Sequence, residues 1–181
     1  MGDKEGAAGA RISPGMTRII CVMSVAGCGK STVGAALAAR LGGTFIEADT
    51  HHPPANIAKM TAGTPLTDED RWPWLVALGG AAREAEGRVV LACSALRRDY
   101  RERLSRAAAA PIFFAHLAGD KTTIGARMGG RSGHFMPPAL LDSQFATLEP
   151  LSAGEIGATL DILRPPEALI EDALAALEAD L

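Results

Sequence analysis

The chain has 181 residues, a formal net charge of −3, 48% hydrophobic residues and only 4% aromatic residues. The acidic balance and the few aromatic side chains argue against a dedicated nucleic-acid binder, and the apolar fraction excludes a wholly disordered chain. No apolar run reaches the ~20 residues that a membrane span requires, so we expect neither nucleic-acid nor membrane partners.

Residues 1–15 are rich in Gly and Ala and are predicted to be a disordered leader, which leaves residues 16–181 as a single domain. Apolar runs predict strands at 18–23, 44–48, 88–93, 111–117 and 158–163. Helical patterns occupy 31–41, 56–62, 67–86, 97–109, 121–128, 139–147 and 166–181, the third starting at Thr67 or Asp68. This alternation predicts an α/β fold, a five-stranded parallel sheet sandwiched by helices.

Residues 24–32 (SVAGCGKST) follow the first predicted strand and lead into the first predicted helix. They match the phosphate-binding pattern G-x-x-x-x-G-K-[ST] except at Ser24, which replaces the first glycine and fits if its φ is negative. Backbone N–H groups and the helix N-terminus can surround a phosphate. The alternative is a Gly-rich turn with an incidental lysine. The predicted nucleotide-binding residues are Ala26, Gly27, Cys28, Gly29, Lys30 and Ser31.

The pattern predicts ATP and Mg²⁺ as the cofactors. Lys30 is expected to reach the β- and γ-phosphates, which makes it a candidate catalytic residue, and the Ser31 hydroxyl is the candidate Mg²⁺ ligand. A GTPase is excluded because Asn56, the only asparagine, is followed by Ile57 and cannot form an N-K-x-D guanine clamp. The third predicted strand ends in Cys93 without an acidic residue, which disfavours motor and transport ATPases. A small phosphotransferase remains, whose second substrate supplies the nucleophile.

Asp49 follows the second predicted strand, and ligands of parallel sheets bind at the carboxyl ends of strands. A carboxylate there can accept the proton of an attacking hydroxyl, although Asp before Thr50 and two prolines can also be a turn cap. His51 and His52 come next. His52 is either a substrate contact or one of a solvated pair of loop residues.

A cationic stretch within residues 121–138 contains several glycines and prolines and no acidic residue. We predict a mobile lid whose arginines neutralise charge on the transferred phosphoryl group. The alternative is a solvated basic face. The residues alone do not show whether Arg127 or Arg131 neutralises the phosphoryl group.

Several segments together resemble the gluconate kinases (gluconokinases), which are relatives of shikimate and adenylate kinases. They are VMSVAGCGKST, EADTHHPPANIAKMTAGTPLTDEDRWPWL, CSALRRDYRERL and GARMGGRSGHFMPPALLDSQFATLEPL. The resemblance implies a P-loop NTPase fold of the nucleoside-monophosphate-kinase-like type and a homodimer. Three cysteines whose spacings match no zinc pattern are typical of reduced thiols in a cytoplasmic protein. The resemblance further implies phosphorylation of D-gluconate on its C6 hydroxyl by MgATP, with ADP as the second product. The alternatives are that the substrate is another aldonate or shikimate, or that the protein binds ATP in a purely regulatory role.

The resemblance also implies site residues. The family's phosphate loop corresponds to residues 24–32, which adds Thr32 to the nucleotide-binding residues, and the lid adds Arg127. Arg131 joins Asp49 and Lys30 as a catalytic residue. The implied substrate-binding residues are Asp49, His52, Lys59, Arg71, Arg97 and His134. A sugar acid needs at least one cation for its carboxylate, and the sequence does not choose among these.

Overall fold

The fold is described by a computed structural model for residues 17–129 and 138–179. The predicted leader, residues 130–137 of the predicted lid, and therefore Arg131 and His134, lie outside the described residues. Helices in the described ranges include none long and apolar enough to cross a membrane.

The described residues alternate strands with helices in the predicted order. The strands are β1 (Ile19–Met23), β2 (Thr44–Glu47), β3 (Val89–Cys93), β4 (Ile112–Ala118) and β5 (Gly157–Asp161). The α-helices are α1 (Lys30–Leu41), α2 (Pro54–Thr61), α3 (Asp68–Glu84), α4 (Arg98–Ala108), α5 (Lys121–Gly129), α6 (Pro138–Thr147) and α7 (Pro166–Ala179). A short 3₁₀ helix, Ala48–His51, follows β2. The prediction of an α/β fold is confirmed.

All strand pairs are parallel, and the order across the sheet is β2-β3-β1-β4-β5. β1 lies at the centre, where every one of its five side chains is buried. This explains why its sequence, IICVM, is apolar without alternation, since both faces of the sheet are covered by helices.

Alternate residues of strands β1 to β4 supply two separate cores, one on each face of the sheet. One face of the sheet packs against α1 and α7 through residues such as Val22, Leu37 and Ile170. The opposite face packs against α3 and α4 through residues such as Met23, Leu78 and Leu104. The sheet is thereby fixed as a rigid platform, and the loops at its carboxyl edge are positioned by both layers.

Three connections meet at this carboxyl edge. Residues 24–29 join β1 to α1, the 3₁₀ helix follows β2, and Ser94 follows β3. Helix α3, which begins nearby, is stabilised at its N-terminus by a capping box between Thr67 and Asp70. The capping interaction identifies Thr67, one of the two predicted residues, as the cap.

Candidate active site

The loop between β1 and α1 has the backbone geometry of an anion site. Gly27 and Gly29 have φ values of 82° and 102°, which side chains other than glycine rarely adopt. Ser24 has a φ of 159°. This is not the negative φ that we expected, but it is close to the extended conformation that any residue adopts. Ser24 therefore replaces the first glycine without requiring a left-handed backbone.

Two donors of this loop are bonded to protein acceptors. The Lys30 Nζ donates to the Val25 carbonyl over 2.9 Å. The Ala26 N–H donates to Oε1 of Gln144, on α6, over 2.6 Å. Phosphate oxygens accept from ammonium groups, so Lys30 can exchange its carbonyl acceptor for a phosphate, while the Ala26 N–H is bonded to a side chain of α6.

A cleft opens beside this loop at the carboxyl edge of the sheet. It brings together Lys30, Asp49, His52 and Arg71, four of the residues that the sequence singled out. The remaining lining residues are Ala26, Met60, Pro65, Leu66, Trp74, Ser94, Leu96, Leu140, Ser143 and Gln144. The cleft therefore combines two cations, a carboxylate and several neutral hydrogen-bonding groups next to a phosphate loop.

His52 is buried and its ring is fixed. It stacks on Trp74 with centroids 4.1 Å apart and an angle of 15° between the rings. The Asn56 Nδ2 donates to the Asp70 carbonyl over 2.9 Å and lies 3.3 Å from the His52 Nδ1. Because this nitrogen of Asn56 is a donor, the His52 Nδ1 accepts and the Nε2 carries the proton.

The pKa of His52 is lowered, chiefly by burial. The charge of Arg71 also lowers it, while that of Asp49 opposes the shift. The ring is therefore neutral at pH 7 and provides one N–H donor with a fixed direction. This arrangement favours the prediction of a substrate contact over that of a solvated loop residue.

Arg71 is oriented by contacts on two sides. Its guanidinium donates to the Leu66 carbonyl over 2.5 Å and to the Tyr100 hydroxyl over 3.4 Å, and it lies 5.3 Å from the centre of the Tyr100 ring. Tyr100 in turn donates to Asp68. Burial and this hydrogen bond raise the pKa of Tyr100, so the hydroxyl stays protonated. Arg71 thus presents a positioned charge to the cleft.

Lys59 and Arg97 have other partners. The Lys59 Nζ lies 2.7 Å from the Asp70 carboxylate, and this hydrogen bond is the main reason that the pKa of Asp70 is lowered. Arg97 lies 2.9 Å from Asp68 and 2.8 Å from Asp99. Neither cation is among the described residues that line the cleft.

The described part of the predicted lid lies close to the phosphate loop. Arg127 donates to the Ile162 carbonyl, after β5, over 2.6 Å. Met128 lies so close to Gly27 that an added Cβ would be 2.3 Å from its Cγ. The C-terminal end of α5 is therefore in contact with the loop between β1 and α1, while Arg131 and His134 lie beyond the described residues.

The sequence interpretation assigned no role to several residues that line the cleft. Gln144 and Ser143 lie on α6, and Ser94 and Trp74 lie beside β3 and on α3. The sequence holds only a weak signal for Gln144, since Asp142, Ser143 and Gln144 form a polar run between Leu141 and Phe145. Only the packing of α6 against the loop shows that Ser143 and Gln144 face the cleft.

The described residues contain no cluster of three or more His, Cys, Asp or Glu side chains suited to a metal ion. Mg²⁺ commonly binds through one or two protein ligands together with substrate phosphates and water. Ser31, in the first turn of α1, and Asp49, in the cleft, are oxygen donors of this type. The donor set therefore fits a magnesium ion brought in with a nucleotide.

The chain is similar to known proteins in sequence and in structure. The chain is 43% identical over 166 residues to the gluconokinase of Gluconobacter oxydans (strain 621H), covering 90% of this chain and 93% of the relative. The crystal structure of a gluconokinase from Sinorhizobium meliloti 1021 superposes with a TM-score of 0.84 at 43% identity, covering 91% and 93% of the two chains. Shikimate kinase from Aquifex aeolicus vf5 shares the fold, with a TM-score of 0.61 at 15% identity over 90% and 97%. No protein-family model matches the chain.

Proposed function

The chain belongs to the gluconokinase family, and from this premise we propose that it transfers the γ-phosphate of ATP to the C6 hydroxyl of D-gluconate. The products are 6-phospho-D-gluconate and ADP. The observation that carries the proposal is the cleft that Lys30, Asp49, His52 and Arg71 line together beside the phosphate loop.

ATP binds with its phosphates in the loop of residues 24–32. The backbone N–H groups of Gly27, Cys28, Gly29, Lys30, Ser31 and Thr32 supply the donors, and the N-terminus of α1 supplies its partial positive charge. Ala26 belongs to the same loop, and its N–H stays bonded to Gln144. Lys30, now 2.9 Å from a loop carbonyl, turns its ammonium group to the β- and γ-phosphates. The Ser31 hydroxyl would hold the Mg²⁺ that accompanies ATP, and such an ion would supply neutralisation of phosphate charge.

Asp49 acts as the base. The C6 oxygen of gluconate forms a bond to the γ-phosphorus while the bond to the β–γ bridging oxygen breaks, and the hydroxyl proton passes to the Asp49 carboxylate. Arg71 binds the carboxylate of gluconate, and the His52 Nε2–H donates to one of its hydroxyls. Support comes from the geometry, since both side chains are fixed by partners before any substrate arrives.

The ion pairs of Lys59 and Arg97 favour a supporting role. Lys59 joins α2 to the start of α3, and Arg97 joins the start of α4 to Asp68 on α3. The helix that follows His52 and the helix that carries Arg71 are thereby held together.

The lid contributes the remaining cations in this proposal. Arg127 lies over the nucleotide, Arg131 neutralises the transferring phosphoryl group, and His134 contacts the sugar acid. The nearness of Met128 to Gly27 supports this placement, because the start of the lid already lies against the nucleotide loop. A homodimer acting in the cytoplasm completes the proposal, and the three free, buried cysteines suit a reducing compartment.

The test is an ADP-release assay with MgATP and D-gluconate, shikimate, other aldonates or no acceptor. Strong stimulation by gluconate is the expected result. Stimulation by another acceptor alone reassigns the substrate, and ATP binding without transfer to any sugar acid indicates a regulator.

Two variants test the assigned roles. Asp49→Asn keeps the size of the side chain but weakens its basicity, and we expect kcat to fall about 100-fold or more. Arg71→Met removes the charge and should raise KM for gluconate about tenfold or more, with partial recovery in Arg71→Lys. Arg40→Met is the matched control, because Arg40 pairs with Glu171 on the exposed surface. Unchanged kcat in Asp49→Asn excludes Asp49 as the base.

A further inference from the structure

Gln144 contacts the phosphate loop and also faces the cleft. Its Oε1 accepts the Ala26 N–H over 2.6 Å, and its side chain also lines the cleft that contains Asp49 and Arg71. Because a backbone N–H can only donate, the oxygen of the carboxamide must face Ala26. The Nε2, with two hydrogen atoms to donate, is then the other end of the side chain.

The helix that carries Gln144 is firmly attached at its C-terminal end. The Glu149 N–H donates to the Leu96 carbonyl over 2.8 Å, and the buried Arg101 donates to the Glu149 carbonyl over 3.1 Å. Leu96 itself lines the cleft. Gln144 therefore projects from a fixed element, and its amide group is oriented before a substrate binds, as a positioning residue requires.

The chemistry of a sugar acid matches the free end of this side chain. Gluconate carries several hydroxyl oxygens that accept hydrogen bonds, and an amide NH₂ next to the loop is a neutral donor to such an oxygen. Asp49, the acceptor of the hydroxyl proton in the proposed function, cannot supply this donor. The cleft needs both kinds of group to orient a polyol.

On the premise of the proposed function, we infer that Gln144 binds the sugar acid, its Oε1 held by the Ala26 N–H and its Nε2–H₂ donating to a hydroxyl oxygen of gluconate. The Gln144 side chain then contacts both the ATP-binding loop and gluconate, the substrate that receives the phosphoryl group. The contact orients the acceptor relative to the γ-phosphate.

Two substitutions separate the two ends of the side chain. Gln144→Met removes both hydrogen bonds at nearly constant volume. Gln144→Glu keeps an oxygen for the Ala26 N–H and replaces the NH₂ donor by an acceptor. Asp142→Asn is the matched control, since Asp142 lies on the same helix but pairs with Lys121 on the exposed surface.

We expect Gln144→Met and Gln144→Glu to raise KM for gluconate about tenfold, the size of one lost hydrogen bond to a substrate. In Gln144→Met, KM for ATP should stay within about twofold of the wild-type value. In Asp142→Asn, KM for gluconate and KM for ATP should both stay within that range. Thermal unfolding of each variant shows whether the fold is intact. A wild-type KM for gluconate in Gln144→Glu overturns the inference, because anchoring the loop would then be the only role of Gln144. A rise confined to KM for ATP overturns it as well.

Gluconate binding is measured in parallel through tryptophan fluorescence, with a non-hydrolysable ATP analogue present, since Trp74 lines the cleft. Equal dissociation constants for the wild type and Gln144→Met contradict the role of Gln144 and leave the proposed function intact. A wild-type protein that neither binds nor phosphorylates gluconate overturns both.

Discussion

Replacing Glu155 by glutamine tests whether one buried ion pair holds the region behind the cleft together. The Arg101 side chain is 1% exposed and donates to both oxygens of Glu155, over 2.5 and 2.9 Å. Arg101 also donates to the carbonyls of Leu96 and Glu149, which connects this pair to the attachment of α6. The substituted side chain keeps the shape of the original and loses its charge.

The magnitude follows from the pKa of Glu155. Hydrogen bonding by Arg101 is the largest cause that lowers this pKa from 4.5 to about 2, with burial opposing and Ser152 adding further hydrogen bonds. A shift of this size corresponds to about 3 kcal/mol of stability at pH 7. Because the folded pKa is depressed, the contribution is complete above about pH 4.5 and is lost as the pH falls towards about 2.

The assay is urea unfolding followed by the fluorescence of Trp72 and Trp74 between pH 7 and pH 4. We expect the free energy of unfolding of Glu155→Gln to be about 3 kcal/mol below that of the wild type at pH 7. The difference should shrink by about 1 kcal/mol at pH 4, because the unfolded wild-type chain takes up a proton at Glu155 while the folded protein keeps this carboxylate ionised. Glu171→Gln, in an exposed pair with Arg40, is the matched control and should change stability by less than about 1 kcal/mol. A difference that is below about 1 kcal/mol at pH 7, or does not vary with pH, refutes the reasoning.

Two further predictions concern Gly27 and His116. Gly27→Ala should lower the melting temperature and raise KM for ATP, because the φ of Gly27 is 82° and the new Cβ would meet Met128. Gly80→Ala is the control, since Gly80 lies in open space within α3. This control should stabilise the protein by up to about 1 kcal/mol. Equal effects of the two substitutions would contradict this. His116 is buried, and neither ring nitrogen has a hydrogen-bond partner among the described residues. Burial and the charge of Arg101 lower its pKa, so the fold loses stability as the pH falls below about 6.5, where the unfolded chain takes up the proton. His116→Leu should raise the free energy of unfolding by about 1 kcal/mol and reduce this loss, as urea unfolding at pH 7 and pH 5.5 can measure; a stability that falls equally with pH in both proteins rules out His116 as the source.

Local sequence alone predicted most of the fold. The five apolar runs became the five strands, and the Thr67 cap and the Pro166 start of α7 were found where the pattern placed them. These features depend on neighbours in the chain, since burial on both faces, capping and the fixed φ of proline all leave marks at short range. The phosphate loop is visible for the same reason, because its glycines and its Lys-Ser-Thr sequence are contiguous.

The composition of the cleft depended on contacts between distant segments. The resemblance implied three cations and one histidine between residues 52 and 97 as substrate ligands. The tertiary structure brings His52 and Arg71 to the cleft and pairs Lys59 and Arg97 with carboxylates. A cation looks the same in the sequence whether its partner is an aspartate or a substrate.

Gln144 also could not be assigned to the cleft from the sequence alone. It lies 118 positions from Ala26, and no short-range pattern records their hydrogen bond. The local sequence therefore determined which elements form and where the candidate phosphate loop lies. Only the folded protein decided which side chains line the cleft, because that choice depends on which charges neutralise one another when α2, α3, α4 and α6 pack at the edge of the sheet.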